Sequence, residues 1–275
     1  PSVVVLTEKT SNLHHPTFID QIDTLITPFT DEDLKAFQPE IILTFGGMVV
    51  SKRIKSFLRK YQPQEHWHVD ELRAYDTYGA LSQHFKTSPS TFFSHLLDEN
   101  SVESNYKSSI ETIWKSRVVQ HKLYTSKVPF SDFKVFDFIS HHLPKDSQLQ
   151  VSNSSAIRYI QLFDLDKSIE VFCNRGTSGI DGSTSTAIGA SVVNNKATIL
   201  ITGDISFLYD SNALWNNYIP KTFKIILINN GGGGIFRILP GHQEIETFNT
   251  YFETSHHLNA SHLAKMYGFD YYTAT

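Results

Sequence analysis

The chain has 275 residues, 40% of them hydrophobic and 19% charged, with a formal net charge of -4; this places it among ordinary globular proteins and argues for two domains, each able to hold a core. Its single cysteine, Cys173, excludes a disulfide framework and fits a reducing compartment. With Lys+Arg 24 against Asp+Glu 28 there is no global positive field to attract nucleic acid or an anionic membrane, so any anion site must be local.

No apolar run approaches the roughly 18 residues of a membrane span, and no basic n-region marks a secretory signal, so a cytoplasmic protein without a transmembrane segment is expected. The runs at residues 3–6, Ile41–Phe45 and 67–70 are short, β-branched or aromatic, and residues 51–61 carry a helical pattern between the last two. Such alternation predicts βαβ units on a parallel sheet. Residues 1–80 therefore read as a small α/β domain, incomplete at its start. From 81 to 130 the β signal fades around helical stretches such as residues 110–124, which reads as a connecting helical region.

A second α/β pattern occupies residues 131–275. It comprises a helix at residues 133–142, strands at 149–151 and 171–173, and a small-residue helix at Ser183–Val193. A strand at 198–202, a helix at 206–218 and a strand at Lys224–Ile228 follow. The first residue is not Met and residues 271–275 read as a strand just begun, which predicts a piece of a longer chain. No repeat or low-complexity tract interrupts the pattern.

The most informative stretch runs from Gly203-Asp204 to Asn229-Asn230 and Gly231-Gly232-Gly233-Gly234-Ile235-Phe236. Each group follows a strand, and a right-handed crossover through one helix brings both strand ends to the same sheet edge. Neighbouring strands lie about 4.8 Å apart, so Asp204 and Asn230 come within reach of one ion. A carboxylate, an amide oxygen and a carbonyl freed by the glycine run are hard oxygen ligands that suit Mg²⁺. The helix after Asp204 points free N–H groups outward, where a diphosphate fits beside the metal.

Plainer readings stand beside this one. Taken alone, Asp204 reads as a helix N-cap and Asn229-Asn230 with four glycines as a loop. The glycines miss the dinucleotide fingerprint, since Phe236 stands where its third glycine belongs, and no phosphate-binding Gly-Lys-Ser/Thr loop exists. What favours the cradle is the order: strand, Gly-Asp, helix, strand, Asn-Asn.

Gly203-Asp204 with Asn229-Asn230 resembles the signature of the thiamine diphosphate enzymes. The longer string from Gly203 to Leu214, with Gly232-Gly233-Gly234-Ile235-Phe236-x-x-Leu239-Pro240, is similar to one branch: the MenD family of 2-succinyl-5-enolpyruvyl-6-hydroxy-3-cyclohexene-1-carboxylate synthases of menaquinone biosynthesis. Asn174-Arg175-Gly176-Thr177-Ser178-Gly179-Ile180-Asp181-Gly182 resembles that family's Asn-Arg-Gly-x-Ser-Gly-Ile-Asp-Gly block. Weaker likenesses lie upstream: Asn153-Ser154-Ser155-Ala156-Ile157-Arg158 to Asn-Ser-x-x-x-Arg, and Lys52-Arg53 to a Lys-Arg pair of the middle domain.

The resemblance implies two three-layer α/β domains with parallel sheets, a Rossmann-like middle domain followed by the thiamine diphosphate-binding fold. It implies that Asp204, the Asn230 side chain and the Gly232 carbonyl hold Mg²⁺ (or Mn²⁺), that Ile205 and Ser206 meet the diphosphate, and that Ile180 is the apolar wedge that bends the cofactor. Ser178, Gly203, Ile235 and Phe236 complete the implied cofactor site. Gly231 departs from relatives that carry Asn or Asp there, which loosens the loop and removes no ligand. The implied transferase decarboxylates 2-oxoglutarate and adds the succinyl-semialdehyde carbanion to isochorismate, as a homodimer or homotetramer built through the thiamine domains.

Both implied substrates are dicarboxylates, which need local cations in an acidic chain, and arginine offers a carboxylate a bidentate fork. Lys52, Arg53, Asn153, Ser154, Arg158 and Arg175 are the candidates. Against this, Lys52 and Arg53 also read as a solvated helix start, and Arg158 and Arg175 as structural ion pairs. The carboxylate that activates the aminopyrimidine belongs, in that family, to a separate pyrimidine-binding domain that nothing here resembles, so the chain alone is expected to be inactive. An acetolactate synthase-like carboligase, disfavoured by the block from Arg175 to Gly182, and a non-catalytic cofactor-binding or assembly module are the alternatives. His14-His15, His141-His142 and His256-His257 lack metal-ligand spacing and read as surface or loop residues, Cys173 reads as packing, and no Gly-x-Ser-x-Gly elbow is present.

Overall fold

Apolar residues at helical spacing open the first unit's core. In the computed structural model, which describes residues 3–96, 104–238 and 245–275, the chain divides into the units Pro1–Pro129 and Phe130–Thr275. The first unit contains α1 (Ile22–Ile26), α2 (Asp31–Phe37), β1 (Ile41–Phe45), α3 (Lys52–Lys60), β2 (Glu65–Val69), β3 (Leu81–Phe85), α4 (Pro89–Leu96) and α5 (Asn105–Lys127). The strands are parallel and lie in the order β1-β2-β3. Ile54, Phe57 and Leu58, three and four residues apart, put one face of α3 into a core shared with Leu25, Phe37 and Ile110. A capping box starts α2: Thr30 accepts the Asp33 N–H while the Asp33 carboxylate accepts the Thr30 N–H.

Two expectations for this unit need correction. Residues 3–6 form no strand; only Leu6 pairs, in an isolated bridge to Ile19, and Val3 is exposed. The β signal does not end at 80, because β3 pairs with β2 inside the stretch read as a helical connection. The polar Ser82-Gln83-His84 centre suits the edge strand that β3 is, and it hides the strand from a search for β-branched runs.

The second unit contains α6 (Asp132–His142), β4 (Gln148–Val151), α7 (Ser155–Ile160), β5 (Glu170–Cys173), α8 (Ser183–Val193), β6 (Thr198–Gly203), α9 (Asp204–Tyr209), β7 (Lys224–Ile228) and α10 (Ser261–Met266). Its four strands are parallel in the order β5-β4-β6-β7. Ile199, Leu200 and Ile201 on β6 are all buried, the continuous apolar run expected of a strand covered on both faces. Each such side chain contributes roughly 1.5–3 kcal/mol of burial.

The helix expected over residues 206–218 is shorter and starts earlier. It runs as α9 and stops at Asp210, then gives way to a 3-10 turn over Ser211–Trp215. Asp210 is the reason: its carboxylate accepts the Ser185 N–H at 2.7 Å and the Ser185 hydroxyl at 2.6 Å, which ties the end of α9 to the start of α8. Residues 271–275 carry no strand, so the reading of a strand just begun there is also corrected. Leu239 and Pro240, the tail of the glycine motif, lie outside the described residues. Among the described residues, no helix is long and apolar enough to cross a membrane.

Candidate functional site

From β4 the chain steps to β5 on one side and then crosses to β6 on the other. Parallel sheets bind ligands outside the carboxyl ends of the strands at such a reversal. Here β4 ends in Ser152-Asn153-Ser154, β5 in Asn174-Arg175, β6 in Gly203-Asp204 and β7 in Asn229-Asn230. Gly203 lies in register with Ile228, so the two groups singled out from the sequence do end on adjacent strands.

Asp204 is 4% exposed. The N-cap position belongs to Gly203, so Asp204 is the first residue of α9 rather than its cap. Its Oδ1 accepts the Ile205 N–H at 2.7 Å, and Oδ2 accepts the N–H groups of Gly231 at 2.8 Å and Gly232 at 3.0 Å. The glycines are required: Gly231 and Gly232 have φ of +82° and +149°, and a Cβ on Gly232 would stand 2.8 Å from the Glu253 carbonyl oxygen. Glu253 also takes the Gly233 N–H on its carbonyl at 2.6 Å and pairs its carboxylate with Arg237. Ile235 and Phe236 follow in a 3-10 turn, Gly234–Ile238.

His256 faces Asp204, with Nε2 3.3 Å from Oδ2. Its Nδ1 accepts the Leu258 N–H at 3.1 Å, which leaves a neutral ring its proton on Nε2. Nε2 is buried and not aligned for a hydrogen bond. His256 is thus a loop histidine half-buried against Asp204, whereas His14, His15, His141, His142 and His257 are exposed.

Asn230 donates its Nδ2 to Asp132 Oδ2 at 2.7 Å, and the Gly232 carbonyl accepts the Gly234 N–H at 3.0 Å while keeping a second lone pair. Among the described residues, no three His, Cys, Asp or Glu side chains gather to hold a metal. The set of Asp204 carboxylate, Asn230 amide oxygen and Gly232 carbonyl is of another kind: one anionic and two neutral hard oxygens, which fits Mg²⁺ or Mn²⁺ and leaves positions for diphosphate and water.

Across the reversal, Asn153 is 2% exposed and acts as a hub. Its Nδ2 donates to the carbonyls of Asn174 and, at 2.7 Å, Gly179, and its Oδ1 accepts from Arg175 Nη1 at 2.9 Å. Its polar atoms are thus committed within the protein. Arg175 has no carboxylate partner among the described residues, and its Nε is buried without a hydrogen bond. Arg158 Nη1 donates to the Ser154 carbonyl, and Ser154 takes a left-handed φ of 70° where β4 turns into α7. Ser178, at φ 65°, and Ile180 sit in the loop before α8; Ser206 donates its hydroxyl to the Ile180 carbonyl at 2.5 Å. Burial pushes the Cys173 thiol up to about 11 against the pull of Arg175 and Arg158, which leaves it an inert packing group.

Lys52 and Arg53 belong to the first unit, exposed in the first turn of α3. Ser51 caps that helix through the Ile54 N–H at 3.1 Å, and the Glu8 carboxylate accepts the N–H groups of Val50 at 2.7 Å and Ser51 at 2.9 Å. Two cations at the positive end of a helix are a placement that folding alone does not favour. Asp132, His256 and Glu8 escaped the sequence reading because each acts across tens of residues with no local pattern.

Residues 4–151 match the family described as the middle domain of thiamine pyrophosphate enzymes, and residues 154–275 the C-terminal TPP-binding domain of thiamine pyrophosphate enzymes. The chain is 68% identical over 275 residues to a 2-succinyl-5-enolpyruvyl-6-hydroxy-3-cyclohexene-1-carboxylate synthase of Flavobacterium johnsoniae, covering 100% of this chain and 50% of that protein. Proteins of the same name from Christiangramia forsetii and Porphyromonas gingivalis are 53% and 38% identical, with 98% and 100% of this chain and 48% and 49% of theirs aligned. The chain thus spans about half the length of the curated relatives it matches.

Proposed function

The chain belongs to the thiamine pyrophosphate enzyme family, and from that premise we propose that it provides the metal- and diphosphate-binding part of a carboligase joining 2-oxoglutarate to isochorismate. The observation that carries this reading is the convergence of Asp204, Asn230, Asn153 and Arg175 on one edge of the β5-β4-β6-β7 sheet, at its order reversal. Asp204, Asn230 and the Gly232 carbonyl hold Mg²⁺ or Mn²⁺. Ile205 and Ser206 meet the diphosphate, with Gly203, Ser178, Ile235 and Phe236 around the cofactor. Ile180, tied to α9 through Ser206, is the apolar wedge. Bound thiamine diphosphate supplies the electron sink for decarboxylation of a 2-oxoacid.

The substrate side rests on cations. Arg175, half-buried, brings a guanidinium whose buried Nε donor is unused, and a carboxylate is the partner its planar fork fits. Arg158, in the same unit, is a second cation for a dicarboxylate; Lys52 and Arg53, exposed at the start of α3 in the first unit, are proposed separately as substrate-binding cations. Ser154, presented by its left-handed backbone, accepts from Arg158 on its carbonyl, while Asn153 holds Arg175 in place. Assembly into a homodimer or homotetramer through the thiamine domains, in the cytoplasm, belongs to the same reading.

The test is a chimera in which this chain replaces the matching half of the Flavobacterium johnsoniae protein. With thiamine diphosphate and Mg²⁺ it should consume 2-oxoglutarate and isochorismate together. Cofactor binding without loss of isochorismate would overturn the substrate assignment and leave another carboligase of the family.

A further inference from the structure

Asn230 is the member of the proposed metal set whose side chain has two chemically opposite ends: an oxygen that ligates cations and an NH₂ that does not. The two ends are nearly the same shape, so the fold must decide which one faces the ion. The deciding contact lies 98 residues upstream, where Asp132 Oδ2 receives the Asn230 Nδ2 hydrogen bond at 2.7 Å. A carboxylate accepts and does not donate, so it engages only the NH₂ end and leaves the oxygen for another partner.

Asp132 is well placed for this. It is the first residue of α6, whose cap is Ser131, and a negative charge is favourable in that first turn. The contact is solvent-exposed, and exposed hydrogen bonds add little to stability. What it supplies is orientation.

We propose that Asp132 is a positioning residue that fixes the Asn230 amide so that its oxygen faces the divalent cation of the diphosphate centre. This rests on the assignment of Asp204, Asn230 and Gly232 as the metal set. It adds a residue from the start of α6 that touches neither metal nor cofactor. Outer-shell partners of this kind govern ligand orientation around metals, and losing one weakens metal binding about 10- to 100-fold.

The experiment titrates Mn²⁺ into the 275-residue chain with thiamine diphosphate and reads free Mn²⁺ by electron paramagnetic resonance. Asp132→Ala should raise the Mn²⁺ Kd about tenfold or more with an unchanged unfolding midpoint. The isosteric Asp132→Asn, whose amide holds either end of Asn230, should also weaken binding and guards against a folding defect. The discriminating background is Asn230→Asp, where both ends of the side chain are oxygens and nothing needs orienting. Adding Asp132→Ala there should leave the Kd unchanged or improve it. Equal losses in both backgrounds would mean that Asp132 acts through charge alone and would overturn the proposal, as would an unaltered Kd in Asp132→Ala. Absence of Mn²⁺ binding by the unsubstituted chain would overturn the metal-set reading itself, and this proposal with it.

Discussion

Arg175 Nη1 donates to Asn153 Oδ1 at 2.9 Å, and Asn153 is held in turn by the carbonyls of Asn174 and Gly179. One buried amide thereby sets an arginine at the end of β5 and the loop that carries Ile180. If Arg175 grips a substrate carboxylate, Arg175→Ala in the chimera should raise KM for 2-oxoglutarate or lower kcat while cofactor affinity stays nearly intact. A charge-assisted hydrogen bond is worth about 1.5–3 kcal/mol, roughly tenfold or more in kcat/KM. Loss of folding stability with unchanged kinetics would return Arg175 to a structural role.

Asp204 gathers three backbone N–H groups, one from the first turn of α9 and two from the glycine loop after β7, so its replacement acts on both the metal set and the glycine turn. Asp204→Ala should abolish Mg²⁺-dependent thiamine diphosphate binding, measured by calorimetry at millimolar Mg²⁺. It should also lower stability by about 1–3 kcal/mol, since buried N–H groups lose their acceptor. Cofactor affinity equal to that of the unsubstituted chain would remove Asp204 from the site.

The contrast between Asp204 and Asp132 shows what was legible in the sequence. Gly203-Asp204 and Asn229-Asn230 announce themselves because each follows an apolar run that only a buried strand explains, and strand adjacency then follows from crossover geometry. Asp132 and His256 meet the same site through pairings that leave no periodic trace, and a lone Asp at a helix start always looks like a helix start. The same limit hid β3, an edge strand with a polar centre, and put the end of α9 too late. The stop at Asp210 is set by Ser185 on another helix.

That tie gives a third expectation. Asp210 is buried and serves as the acceptor for the Ser185 N–H at the start of α8, which has no side-chain cap of its own. Asp210→Ala should destabilise the second unit by about 1–2 kcal/mol, the usual scale of a lost helix cap, read as a lower urea midpoint with unchanged slope. A change within error would show that water replaces the carboxylate at no loss.

The last expectation concerns acid and the first unit. The Thr44 hydroxyl lies 2.8 Å from both His66 Nε2 and His68 Nδ1; with one proton it donates to one ring and must accept from the other. His66 is buried, its Nδ1 has no partner, and Tyr78, Ser82, His68 and Asp76 surround it. Burial, then the neighbouring His68, push the His66 pKa below the ordinary range against a weaker pull from Asp76; burial lowers His68 likewise, with Asp70 opposing and His84 assisting. The charged rings are therefore disfavoured in the folded state, which binds fewer protons than the unfolded chain, so stability rises with pH. The contribution is fully present above the unfolded histidine pKa of about 6.5. It shrinks as pH falls, and the loss is complete once pH passes below the depressed folded values. Hydrogen exchange at β2 should accordingly show lower opening free energies at about pH 5.5 than at about pH 7.5, and His66→Gln should flatten that difference. Identical pH dependence in the variant would place the acid sensitivity elsewhere.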